Sequence, residues 1–206
     1  MSDYTEPHWD SAALVVIDVQ RDFVDGGAAR IPGTTAILPA LARLVDTFRS
    51  AKRPVVHVIR LYEPGGSDVD PVRRAAVEAG ARIAAPGSAG SQLVPEIATA
   101  ELDHERLLTG ALQEIGPSEI VVYKPRWSAF HRTGLDAWLR EHGCDTVVVA
   151  GCNLPNCPRA TLFDASERDY RAVLVTDAVS QVTRERLDDL AAIGVRLLTV
   201  ADVPKL

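Results

Sequence analysis

The stretch Thr146–Thr161, TVVVAGCNLPNCPRAT, decides both the fold class and the chemistry. Its run Val147-Val148-Val149 is β-branched, does not alternate with polar residues, and is bounded by Gly151, as in a strand covered on both faces. An Asn/Pro loop follows and ends at Cys157. From Pro158 the sequence reads as helix, and proline suits a first helical turn, where its missing N–H would have had no partner. Cys157 therefore falls at or beside a helix N-cap. Unpaired backbone N–H groups and the positive end of the helix dipole favour a thiolate there. The local chemistry is that of a nucleophile, although an isolated cysteine is more often an inert buried hydrophobe.

Similar strands recur on either side. Ala13–Asp18 is an apolar run closed by a carboxylate, and Val55–Ile59 is a second buried run after a helix over Thr34–Lys52. Ile120–Tyr123 ends at Lys124, Ala172–Thr176 ends at Asp177, and Val195–Val200 is the last strand. Helices are expected over Thr133–His142, Cys157–Arg168 and Arg184–Ile193. Strands alternating with helices imply βαβ units, hence an α/β fold with about six mostly parallel strands and helices on both faces. Tyr62–Thr109 is the exception: it is turn-rich, with one helical candidate at Pro71–Ala84, and reads as a long surface excursion of the binding-loop kind.

The chain has 206 residues, enough for one domain with a substantial core and short for two. Residues 1–10 read as a polar tail and 11–206 as the domain. A net charge of −6 argues against non-specific nucleic-acid binding. No apolar run approaches a membrane span, and the opening MSDYTEPHWD lacks the apolar core of a signal peptide. The three cysteines, Cys144, Cys152 and Cys157, are an odd number and fit free thiols in a cytoplasmic protein.

In an open parallel sheet, ligands bind beyond the carboxyl ends of the strands. Asp18, Lys124 and Cys157 all fall at such ends. If the strands carrying Asp18 and Cys157 are neighbours, the two residues flank one crevice. A carboxylate within reach of a thiol can serve as its base, an ammonium stabilises both anions, and N–H groups at the helix start can hold an oxyanion. The set suits acyl transfer. Each residue also has a plainer use, since strand-end Asp and Lys are common turn formers and solvated charges. Competing motifs are absent: there is no G-x-G-x-x-G after a strand, no P-loop and no G-x-S-x-G elbow. The histidines and cysteines make no zinc-ligand spacing.

Three segments resemble, in order and spacing, those of the isochorismatase-like cysteine hydrolases, relatives of nicotinamidases and of N-carbamoylsarcosine and ureidoacrylate amidohydrolases. They are VVIDVQRDF (Val15–Phe23), KPRWSAF (Lys124–Phe130) and VVVAGCNLPNCPRAT. The resemblance implies a Rossmann-like, doubly wound domain and a thioester mechanism. Asp18 is then the acid/base, Lys124 the catalytic lysine and Cys157 the nucleophile. The backbone N–H groups of Asn153 and Cys157 form the oxyanion hole, and the Cys152–Asn153 peptide is cis.

The chain departs from that pattern at Leu154-Pro155, where relatives commonly have Thr-Asp. Nicotinamidases carry metal-binding histidines after the second strand. Here the region reads HVIRLYEPGGSDVD, so neither a metal nor a cofactor is expected. The partner expected is a small molecule with an amide, ureido or lactam C–N bond. Phe23, Trp127, Phe130, Arg60 and Tyr62 are candidate substrate contacts, with Arg126 and Arg159 as further cations. A homo-oligomer, dimer or tetramer, follows from the resemblance. Two other readings stay open: isochorismatase-type ether cleavage on the same scaffold, and a non-catalytic protein that binds through its thiol.

Overall fold

The computed structural model describes residues 3–204 and 206. Seven strands form one sheet: β1 (Ala12–Ile17), β2 (Val55–Ile59), β3 (Gln113–Gly116), β4 (Glu119–Tyr123), β5 (Thr146–Gly151), β6 (Arg171–Val179) and β7 (Arg196–Leu198). Their spatial order is β3-β4-β2-β1-β5-β6-β7, and every pair is parallel except β3 with β4. Among the described residues, six α-helices accompany them: α1 (Thr34–Ser50), α2 (Pro71–Glu78), α3 (His104–Leu108), α4 (Leu135–Glu141), α5 (Cys157–Ser166) and α6 (Arg184–Ala192).

The period-two geometry of the central strands splits the core in two. Ala13, Val15 and Ile17 of β1, with Val147 and Val149 of β5, pack against Leu135 and Leu139 of α4 and Leu162 of α5. Ala12, Leu14 and Val16, with Val148 and Ala150, face Leu41, Leu44 and Phe48 of α1 on the other side. Both faces of β1 and β5 are buried, which is why these strands are unbroken apolar runs.

Three departures from the expected elements have local causes. β3 was not expected, because a half-exposed antiparallel edge strand, QEIG, needs no apolar run. The expected helix Pro71–Ala84 stops at Glu78, since Gly80 takes φ +97° and turns the chain out of helix. β6 continues past Asp177 to Val179, where it pairs with Gly151. The described part of the expected tail is not free: the His8 N–H donates to Thr146 Oγ1 at 3.0 Å, and the His8 ring lies 2.7 Å from Asp145 Oδ2.

After β1 the chain builds outward through β2 and β4, then returns to place β5 on the other side of β1. The order therefore reverses between β1 and β5, which leaves a crevice at their carboxyl ends.

Candidate active site

Three strand ends meet at that crevice, each clamped by one more ladder-type bond from its neighbour. The Asp18 N–H donates to Val58 O at 2.8 Å, Lys124 N–H to Ile59 O at 3.0 Å, and Cys152 N–H to Ile17 O at 2.8 Å. Asp18 itself takes φ +54°, a left-handed conformation that Asp tolerates better than most residues. Gly151, at φ +113°, lies so close to the Ile17 backbone that a side chain there would overlap its carbonyl oxygen. The turn from β5 toward Cys157 depends on this approach.

Lys124 leaves β4, two strands from β1, and its side chain runs fully buried across the end of β2. Its Nζ donates to Asp18 Oδ2 at 2.8 Å and to Cys157 Sγ at 3.2 Å. Asp18 Oδ1 is buried without a hydrogen-bond partner, which leaves it as an acceptor beside the thiol. Cys157 is the first residue of α5, with Pro158 next in the first turn. Thr161 fixes that turn: its hydroxyl donates to Cys157 O at 2.8 Å and accepts from Ala129 N–H at 3.0 Å.

The expectation that the helix start and the ammonium would favour the thiolate is corrected by burial. Desolvation pushes the Cys157 thiol up, to about 12, the Asp18 carboxylate adds to that rise, and Lys124 only partly opposes it. Burial and the Asp18 charge thus both favour the thiol over the thiolate. Cys144 and Cys152 are likewise raised by burial, to about 11 and about 12. All three cysteines are free.

The Cys152–Asn153 peptide is cis, the isomer the resemblance implied. Among the described residues, neither the Asn153 nor the Cys157 backbone N–H has an acceptor. The Asn153 side chain is held by Gln181, its Nδ2 donating to Oε1 at 2.7 Å. Leu154 is fully buried in the core beneath α5 and donates its N–H to Ser180 O at 2.9 Å. The Leu-for-Thr departure thus serves packing and does not face the crevice.

A small cavity of about 20 Å³ lies against Asp18, Cys157 and Asn153. It has room for about one water molecule. A larger surface hollow of about 340 Å³ near Tyr170 and Ile193 touches none of these groups. Of the candidate contacts, Phe23, Arg60, Tyr62 and Trp127 line the small cavity, with Trp127 44% exposed at its mouth. Phe130 does not: it stacks on Tyr170 in the core, ring centroids 5.7 Å apart. Arg126 pairs with Asp68, and Arg159 with Asp189, both at the surface.

Arg60 is buried, ion-paired with Asp70, and donates through Nε to the Tyr62 hydroxyl at 3.2 Å. The cation therefore sits where the chain leaves β2, in the segment where the resemblance to nicotinamidases would call for metal-binding histidines. A guanidinium offers donors only. No group of three or more His, Cys, Asp or Glu side chains among the described residues could hold a metal ion. The residues present do not fit a divalent cation beside the cavity.

Two further residues position this wall. Gln20, fully buried, behaves as an extra peptide group: its Nε2 donates to Arg60 O and Ser91 O, and its Oε1 accepts from Arg60 N–H. Arg73, on α2, also lines the cavity. No motif marks Arg73 in the sequence; the one signal is that it lies four residues before Val77, the buried residue of α2, and so shares its face.

The isochorismatase domain model matches residues 12–202. The chain belongs to the isochorismatase family. A probable inactive nicotinamidase of Arabidopsis thaliana is 33% identical over 93% of this chain and 94% of its own length. A ureidoacrylate amidohydrolase of Methylobacterium radiotolerans is 30% identical over 84% of this chain and 69% of that protein. Among solved structures, an isochorismatase family protein from Desulfovibrio vulgaris superposes with a TM-score of 0.80 at 32% identity, covering 93% of this chain and 95% of that one. As an isochorismatase-family protein, the chain belongs among hydrolases whose members act on amides such as ureidoacrylate and nicotinamide. No helix among the described residues is long and apolar enough to cross a membrane.

Proposed function

We propose that the chain is a cysteine-dependent amidohydrolase that cleaves a C–N bond of a small amide, ureide or lactam through a thioester. The observation that carries this reading is the Lys124 ammonium, buried and in hydrogen-bond reach of both the Asp18 carboxylate and the Cys157 sulfur. A thiol raised by burial needs its base at hand, and Asp18 is that base.

Asp18 takes the Cys157 proton as sulfur attacks the carbonyl carbon. The C–S bond forms and the carbonyl electron pair moves onto oxygen, facing the unclaimed N–H groups of Asn153 and Cys157. Asp18 then passes the proton to the departing nitrogen as the C–N bond breaks. Water, deprotonated by Asp18, attacks the thioester, the acid leaves, and the proton returns to sulfur. Lys124 keeps carboxylate and sulfur aligned throughout and stabilises negative charge on either.

The ureidoacrylate amidohydrolase relative supports C–N cleavage as the reaction type. Nicotinamide is the amide expected to fail, since the cation beside the cavity is a guanidinium. The test is ammonia or amine release across an amide and ureide panel. Turnover should vanish in Cys157→Ala and should not respond to EDTA. Turnover that survives Cys157→Ala while Asp18→Asn abolishes it would replace this mechanism with acid-assisted ether-type hydrolysis.

A further inference from the structure

The charges around the cavity nearly cancel, and the remainder is one guanidinium. Asp18 is paired with Lys124, and Asp70 with Arg60, both pairs buried. Arg60 also spends its Nε on the Tyr62 hydroxyl, so little of its fork is free for a ligand. Arg73 differs. It lines the same cavity, half-buried, yet among the described residues its side chain makes no hydrogen bond and meets no carboxylate within 4.0 Å. Its neighbour Arg74, by contrast, is tied to Val69 O at 2.9 Å.

Tyr62 supplies an independent observation. Its ring lies under both guanidinium groups, with centroid distances of 4.7 Å to Arg60 and 5.8 Å to Arg73. The buried hydroxyl accepts from Arg60, but its own proton has no acceptor among the described residues. A buried O–H without an acceptor and a cation without a counter-ion thus share one wall. A carboxylate satisfies both, because it accepts from a neutral donor and pairs with a planar guanidinium.

We infer that Arg73 and the Tyr62 hydroxyl form a receptor for a carboxylate on the substrate, so that this protein selects acidic amides or ureides over neutral ones. The inference rests on the cysteine-hydrolase reading of the same cavity and adds the substrate class. It also divides the labour of the two arginines. Arg60, held by Asp70, is a positioning residue for Tyr62, and Arg73 is the one that meets the anion. Since Arg73 is carried on α2, the bound carboxylate joins that helix to the crevice floor.

Two alkylating agents of similar size, iodoacetate and iodoacetamide, probe this charge without knowledge of the substrate. The rate ratio iodoacetate to iodoacetamide at Cys157, divided by the same ratio for N-acetylcysteine, reports the local preference for an anion. That ratio should fall about tenfold in Arg73→Gln. It should be largely retained in Arg73→Lys, which keeps the charge, and in Arg74→Gln, which alters the adjacent residue. In turnover, Arg73→Gln should raise KM for N-carbamoylglycine more than it lowers kcat, and should cost the corresponding primary amide less. An unchanged ratio in Arg73→Gln, or an equal fall in Arg74→Gln, overturns the receptor. The cysteine-hydrolase reading fails separately, if Cys157→Ala leaves hydrolysis intact, and the labelling ratio still judges the anion site in that event.

Discussion

Asp18 and Cys157 oppose each other across the crevice: the carboxylate proposed to accept the thiol proton also strengthens the thiol's hold on it. Burial is the largest cause of the raised thiol, and the Asp18 charge is the next. Removing that charge therefore lowers the thiol's pKa. Asp18→Asn should alkylate faster than wild type at pH 7.5, while its hydrolytic turnover falls by about 10²–10⁴-fold for want of a proton shuttle. Stopped-flow labelling and a turnover assay on the same preparation check both signs. Slower labelling in Asp18→Asn would contradict this account of the thiol.

Lys124 stabilises the fold as well as the site. Its side chain is wholly buried, and its removal strands the Asp18 carboxylate in a low-dielectric interior. Lys124→Met should lower unfolding free energy by about 3–5 kcal/mol, the range for breaking one partner of a buried pair. The double variant Asp18→Leu/Lys124→Met should recover much of that loss. Urea unfolding of the single and double variants gives the comparison. Equal stability of the two would show that the pair is not coupled.

The approach of Gly151 to Ile17 leaves no room for a methyl group, and the residue also holds a positive φ. Gly151→Ala should cost about 1–3 kcal/mol through overpacking and backbone strain. It should also reduce turnover, because the same turn delivers Asn153 and Cys157. Gly143→Ala is a useful control. It shares the positive φ but meets nothing within 4 Å, so only the strain contribution remains.

A second buried network sets the acid limit of stability. His57 Nε2 lies 2.6 Å from Glu119 Oε1, and Arg49 Nη2 donates to the same oxygen at 2.6 Å. Burial lowers the His57 pKa despite Glu119. Burial would raise Glu119, but His57 and Arg49 outweigh it and hold the carboxyl down at about 2. Below pH 6.5 the unfolded chain takes up a proton at His57 that the folded protein refuses. Below about pH 4.5 the same holds at Glu119, until the folded group itself protonates near pH 2. Both contributions are complete at neutral pH and are lost on acidification, each with a limiting slope of about 1.4 kcal/mol per pH unit. His57→Gln should flatten the upper part of the stability–pH curve between pH 6.5 and 4.5 in urea titrations. An unaltered curve would assign the slope elsewhere.

The three strand-end residues were legible because parallel α/β architecture imposes their position. Once β1, β4 and β5 are recognised as buried apolar runs, the residues that close or follow them face the crevice. Other features depended on information that periodicity does not hold. β3 pairs at an exposed edge and carries no apolar signature. The upward shift of the Cys157 thiol follows from how deeply it is covered, and a helix start alone points the other way. Leu154 stands in a motif loop yet faces the core, so its departure from the pattern that the resemblance sets serves packing. Arg73 and Arg74 are adjacent and chemically alike. Only the phase of α2 against Tyr62 separates them.

The cavity of about 20 Å³ has a kinetic consequence. With room for about one water, an amide could reach Cys157 only if the lining side chains gave way. On the proposed mechanism, turnover would then pass through an open form of the wall that carries Tyr62 and Arg73. If that form is a minor population, the observed dissociation constant exceeds the intrinsic one by the reciprocal of its fraction. Substitutions that loosen the wall would then tighten apparent binding and leave the chemistry at Cys157 more exposed to water.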